Sequence, residues 1–201
     1  MKPTPPFFGW SEVNYFLDHI YRKALHRFKS ADTAHQLLER EYDKTKTPEL
    51  MPKMFAAMQE SQESGVALLW AASSLLEYCL YKYAITKIHP KAWEDHLDNI
   101  RTVSKWIVIP QLCQGKNVPE DCPAINGLKE LVKARNSVVH PRVKLITDDG
   151  FPNTDKEGVR FKSACRNVEA TVTALLEVLN QQVTPASSQS ARPESPSPSA
   201  G

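Results

Sequence analysis

The chain has 201 residues, 41% of them hydrophobic and 24% charged, with a formal net charge of +2 at neutral pH. That length and composition suit one globular domain with a buried core, and so small a net charge argues against a protein coated by nucleic acid over its whole surface. No apolar run approaches the roughly 20 residues of a membrane-spanning helix, and no signal-like apolar core follows Met1-Lys2-Pro3-Thr4-Pro5-Pro6, so a cytoplasmic protein without membrane contact is expected.

Residues 1–10 hold prolines and a Phe7-Phe8-Gly9 cluster, which suits an arm lying on the domain. Ser11 is a candidate N-cap with Glu12 in the first turn. Phe16, Ile20, Ala24, Phe28 and Ala31 then recur at helical spacing, predicting one long helix over 11–43, or two with a break near Ser30 to Thr33. Thr47-Pro48-Glu49 has the order of a cap, a proline at the first helical position and an early acid, and predicts a short helix. From Ser64 to Ile88, apolar residues including Leu68, Leu69, Leu75, Leu76, Leu80 and Tyr83 cover most of the helix circumference, the pattern of a central helix packed on several sides.

His89-Pro90 should stop that helix, because a residue preceding proline is pushed out of the α region. Trp93, Leu97, Ile100, Val103, Trp106 and Ile107 form the next stripe, expected to end before Pro110. Asp121-Cys122-Pro123 is a further start signal, and Ile125, Leu128, Leu131, Val132 and Val139 mark a helix ended by Pro141. Asp148-Asp149-Gly150, Pro152 and Gly158 separate Val143 to Thr147 from Val159 to Phe161, predicting a small β-hairpin or an irregular lobe near 143–162. Val168, Val172, Leu175, Leu176 and Leu179 give a last amphipathic helix. Residues 184–201 are rich in Pro, Ser and Ala, with almost nothing to bury, and are expected to be disordered. The predicted fold class is therefore all-α, an up-and-down helical bundle over 11–183 with that one hairpin.

Neither metal nor redox chemistry is suggested. Cys79, Cys113, Cys122 and Cys165 form no CxxC pair, and the histidines form no HExxH or HxH pair, so no metal site and no cofactor is expected. Charge is concentrated locally: Lys129, Lys133, Arg135, Arg142 and Lys144 face a single acid, Glu130, between residues 129 and 144, and Arg160, Lys162 and Arg166 follow. Such a patch could receive a phosphate backbone or be a solvated face that binds nothing.

Within it lies Leu131-Val132-Lys133-Ala134-Arg135-Asn136-Ser137-Val138-Val139-His140-Pro141. On a helix, Asn136 and His140 fall within about 40° of each other and Arg135 projects about 100° from Asn136, so Arg135 must reach round or meet a partner across an interface. A histidine in the last helical turn is favoured as imidazolium by the helix dipole and can exchange a proton near neutral pH. The plain structural alternative pairs Arg135 with Glu77 or another acid and uses Asn136 and His140 to cap local carbonyls. Glu77 sits within an apolar run, where a buried or half-buried carboxylate would need a partner, and Arg135 is the candidate.

Arg135, four intervening residues and His140, with Asn136 directly after the arginine, resemble the R-x4-6-H signature of the HEPN superfamily. The upstream run Ala71-Ala72-Ser73-Ser74-Leu75-Leu76-Glu77-Tyr78 resembles the preceding core helix of these domains, and the likeness in helical order spans 11–183. The resemblance implies a homodimer in which two copies of the motif face one another and cleave RNA without a metal, as toxin or defence nucleases do, with an antitoxin protein as a further partner. It implies proton transfer by His140, phosphorane binding by Arg135 and orientation of phosphate or histidine by Asn136, with Lys133, Arg142 and Lys144 as RNA contacts and Glu77 in support. Non-catalytic members exist, so a module that binds RNA, a nucleotide or a protein is the alternative. Some relatives carry a tyrosine two residues after the histidine as a site of adenylylation; this chain has Arg142 there, and that control is not implied.

Overall fold

The computed structural model of the chain describes residues 12–139 and 154–180, and these are helical apart from short connections. The expected N-terminal arm, the Ser11 cap, the Pro141 stop, the strand Val143 to Thr147 and the tail 184–201 lie outside the described residues.

Helix α1, Glu12–Thr45, runs without the break considered near Ser30 to Thr33. Its buried seam holds Tyr21, Leu25, Phe28 and Ala31, spaced by three or four residues as one helix face requires. Lys46 takes a left-handed conformation, φ 52°, and its amide donates to the carbonyl of Tyr42 at 2.7 Å, closing the helix in the way a glycine would. The chain then turns back into α2, Leu50–Ile85, and Arg27 of α1 bonds Glu60 of α2 across the hairpin at 2.7 Å.

The short helix expected at 47 and the central helix expected from Ser64 are thus one element. Gln59 to Gly65 reads as a polar interruption, yet Ser61, Ser64 and Gly65 are buried, and Ser64 folds its hydroxyl back onto the carbonyl of Glu60 at 2.7 Å. Small side chains are needed there because α6, Thr154–Asn180, crosses at that level. A methyl group on Gly65 would stand 2.8 Å from the ring of Phe161 and 3.1 Å from Cys165 Sγ.

Two expectations about the next segment need correction. The stripe starting at Trp93 is not one helix. A single turn, α3, Pro90–Ala92, runs into a π-helical turn, Trp93–Leu97, closed by the Asp98 amide on the Trp93 carbonyl at 2.9 Å. Helix α4, Thr102–Gln114, follows and passes through Pro110 instead of stopping before it. Proline removes the bond to the Trp106 carbonyl, but Trp106, Ile109 and Pro110 are all buried, and that packing holds the helix until Gly115, φ 67°, caps it.

Helix α5, Pro123–Val139, begins at the proline, as Asp121-Cys122-Pro123 indicated. The predicted strand Val159 to Phe161 is helical and belongs to α6. Its physical reason is visible in the spacing: Phe161, Cys165, Val168, Val172, Leu175 and Leu179 form one i, i+3, i+4 seam, with Phe161 packed against the core and Val159 exposed. The fold is all-α among the described residues, and none of their helices is long and apolar enough to cross a membrane.

Helices α5 and α6 lie antiparallel, with Gly127 against Thr171 and Glu130 against Arg160. A second tie holds α6 to α1: Arg166 donates to both oxygens of Asp32, at 2.8 and 3.0 Å, and Gln36 donates to the same carboxylate. The guanidinium keeps the nearly buried Asp32 carboxyl below the usual carboxylate range.

Candidate functional site

Arg135 continues the buried seam of α5. Ala124, Leu128, Leu131 and Arg135 are spaced four, three and four residues apart, and the first three are buried. The arginine side chain is 22% exposed and aims at α2, where its terminal nitrogen stands 3.8 Å from Glu77 Oε1. Thr102, at the start of α4, donates to the same Glu77 oxygen at 3.3 Å. Three helices therefore meet at one carboxylate.

Glu77 is half-exposed, at 51%, and its partner is Arg135, the candidate named for it from the sequence. It projects from the solvent side of α2 even though Leu75, Leu76 and Leu80 around it are in the core. At 3.8 Å and with water nearby, its pairing with Arg135 is a weak ion pair, worth under about 1 kcal/mol.

The guanidinium also reaches round its own helix. Its Nε and a terminal nitrogen donate to Asn136 Oδ1 at 3.4 and 3.3 Å, long contacts that orient the group without saturating it. Asn136 itself is exposed. The 100° offset between neighbouring residues, which put Arg135 on a different face from Asn136, is thus bridged by the length of the arginine. Val138 extends the same seam one turn beyond Arg135 and is 36% exposed, so the described core ends at the arginine.

His140, Arg142 and Lys144 lie outside the described residues. Lys133 is exposed and donates to Glu130 Oε1 at 2.8 Å, and Arg160 of α6 approaches the other oxygen of Glu130 at 3.4 Å. Sequence reasoning missed the roles of Thr102 and Arg160 beside these acids, and only the i, i+3 spacing of Glu130 and Lys133 signalled any of them.

Two of the thiols, Cys165 and Cys79, are poor nucleophile candidates. Burial, followed by the charge of Asp32, pushes Cys165 up to about 12, and burial pushes Cys79 up to about 11. No grouping of three or more potential metal ligands occurs among the described residues.

No protein-family model matches the chain, and neither the curated proteins nor the solved structures compared with it give a match.

Proposed function

We propose that this chain is an HEPN-like, metal-independent endoribonuclease acting as a homodimer. The observation that carries the reading is the state of Arg135: a half-buried guanidinium at the end of a core seam, oriented by Asn136 and Glu77 through contacts of 3.3 to 3.8 Å. An arginine held this way loses little conformational freedom when it takes a phosphate and still has donors to give.

In the proposed reaction the 2′-oxygen of the RNA attacks the adjacent phosphorus while its proton passes to a base. The bond from phosphorus to the 5′-oxygen breaks, and that oxygen takes a proton from an acid. A 2′,3′-cyclic phosphate and a 5′-hydroxyl result. His140 of one copy serves as base and His140 of the other as acid, so the pair exchanges roles rather than consuming a proton. Arg135 stabilises the additional negative charge on the phosphorane by charge-assisted hydrogen bonds, and Asn136 orients the phosphate.

The Glu77 contact favours one second reading, a non-catalytic HEPN-like module that binds RNA, because a carboxylate beside Arg135 offsets part of the charge offered to a phosphate. Purified protein incubated with RNA in EDTA separates the two. Cleavage that disappears in His140→Ala and Arg135→Ala supports the nuclease; binding without cleavage supports the module.

A further inference from the structure

A groove of about 710 Å³ runs between α5 and α6. Its floor is made of Gly127, Ala164 and Thr171, with Gly127 packed directly on Thr171. Thr171 is only 8% exposed, yet its hydroxyl has no hydrogen-bond partner among the described residues. That hydroxyl keeps contact with solvent along the groove, and a polar ligand seated there would offer it a hydrogen bond. The walls bring neutral polar groups, Asn126 from α5 and Ser163 and Asn167 from α6. Asn126 commits its amide to the Asp121 carbonyl at 2.7 Å, which leaves its oxygen to accept, and Asn167 rests on Ser163 through a long 3.4 Å contact.

Cations stand beside the groove. Arg160 lines it, and Lys133 is tied to it through Glu130, which takes Lys133 on one oxygen and Arg160 on the other. The groove also connects to the candidate site. Asn126, Lys129, Lys133 and Asn136 are spaced i, i+3, i+7 and i+10, one stripe along the outer face of α5, and all four are exposed or nearly so. From the groove to Asn136 that stripe covers about 15 Å of helix.

We propose that this groove is a nucleotide subsite: Arg160 and Lys133 take a phosphate, the amides and hydroxyls of the walls and floor take a sugar or base edge, and Glu130 holds the two cations in check until a phosphate displaces it. Resting on the RNA-acting reading given above, the groove would hold a nucleotide of the same strand that Arg135 and Asn136 engage, reached along the Lys133 stripe. Phosphate contacts would set the strand's register and the polar walls its base preference. The phosphate could equally be that of a free nucleotide, and the test distinguishes the two sources.

Fluorescein-labelled single-stranded RNA is titrated with the full chain across a range of salt concentrations, and unlabelled ATP is added as competitor. Glu130→Gln should tighten RNA binding several-fold, a gain that misfolding cannot imitate. Arg160→Ala should weaken it and flatten the salt dependence by about 0.7 per lost phosphate contact. Asn167→Ala should weaken it with the salt slope unchanged. If the wild type binds RNA, and Arg135→Ala weakens it while the Glu130, Arg160 and Asn167 variants bind as the wild type does, the groove proposal fails and the RNA reading stands. If ATP but not RNA binds, with the same response to Glu130→Gln and Arg160→Ala, the groove is a free-nucleotide site and the RNA reading falls. Binding of neither overturns both.

Discussion

Gly127→Ala is the sharpest structural test, because α5 presents Arg135 only while its approach to α6 is maintained. A methyl group on Gly127 would overlap Thr171 Oγ1 and stand 3.0 Å from Cγ2 and 3.2 Å from Cβ of the same residue. Both branches of the threonine are involved, so turning χ1 to put the Cβ hydrogen at the tightest point still leaves a heavy atom at the second contact. Overpacking of this kind costs about 1 to 3 kcal/mol, and exchanging glycine for alanine inside a helix returns about 0.5 to 1 kcal/mol. The net loss should be about 1 to 2 kcal/mol, or a fall in Tm of about 3 to 6 °C for a domain of this size. Thr171→Ala removes the two overlapping atoms, so the double variant should be more stable than the sum of the single losses by about 1 kcal/mol. Thermal melts followed by circular dichroism on the four proteins measure this coupling. Additivity within about 0.3 to 0.5 kcal/mol would refute the steric account of the α5 and α6 crossing.

Arg166→Leu leaves the Asp32 carboxylate with the Gln36 hydrogen bond and the more distant charge of Lys162, and should cost about 1 to 3 kcal/mol at neutral pH, less than a fully buried pair because Arg166 is half-exposed. Since Arg166 lowers the Asp32 pKa, the stabilisation is complete above the unfolded value near 4 and is lost as pH falls through the folded value. The gap between wild type and variant in urea titrations should therefore narrow below about pH 4; a gap unchanged at pH 3 would contradict the pairing. Trp106→Ala, in the core, should cost about 3 to 5 kcal/mol, whereas Trp70→Ala, at a side chain 51% exposed, should stay within about 0.5 kcal/mol. Iodoacetamide at pH 8 should leave Cys79 and Cys165 largely unmodified in the native protein and alkylate both in urea; native modification at the unfolded rate would contradict their burial.

Apolar spacing is enough to read the α-class and the central role of α2, and the Asp121-Cys122-Pro123 signal gives the start of α5. Such reading fails where tertiary contact overrides local preference. The small residues Ser61, Ser64 and Gly65 hide the continuity of the two helices expected from 47 and from Ser64 until α6 is seen to press on them, and Pro110 looks like a terminus until its burial beside Trp106 is known. Phe161 falls in the segment expected as a hairpin or irregular lobe because the turn residues before it outweigh its place in the seam with Cys165 and Val168. At the candidate site, the neighbourhood of Arg135, Asn136 and Glu77 was legible as a pattern of residue types. Two features were not: that Arg135 ends the Leu128 and Leu131 seam, and that Thr102 shares its acid, since the latter joins helices 25 residues apart in the chain.

The most direct test of the central claim is the product analysis of a defined RNA incubated with purified protein in EDTA. The proposed nuclease yields fragments ending in 2′,3′-cyclic phosphate and 5′-hydroxyl, lost in His140→Ala and in Arg135→Ala with folding intact. Intact RNA after incubation with the wild type, or cleavage undiminished by both substitutions, would contradict it.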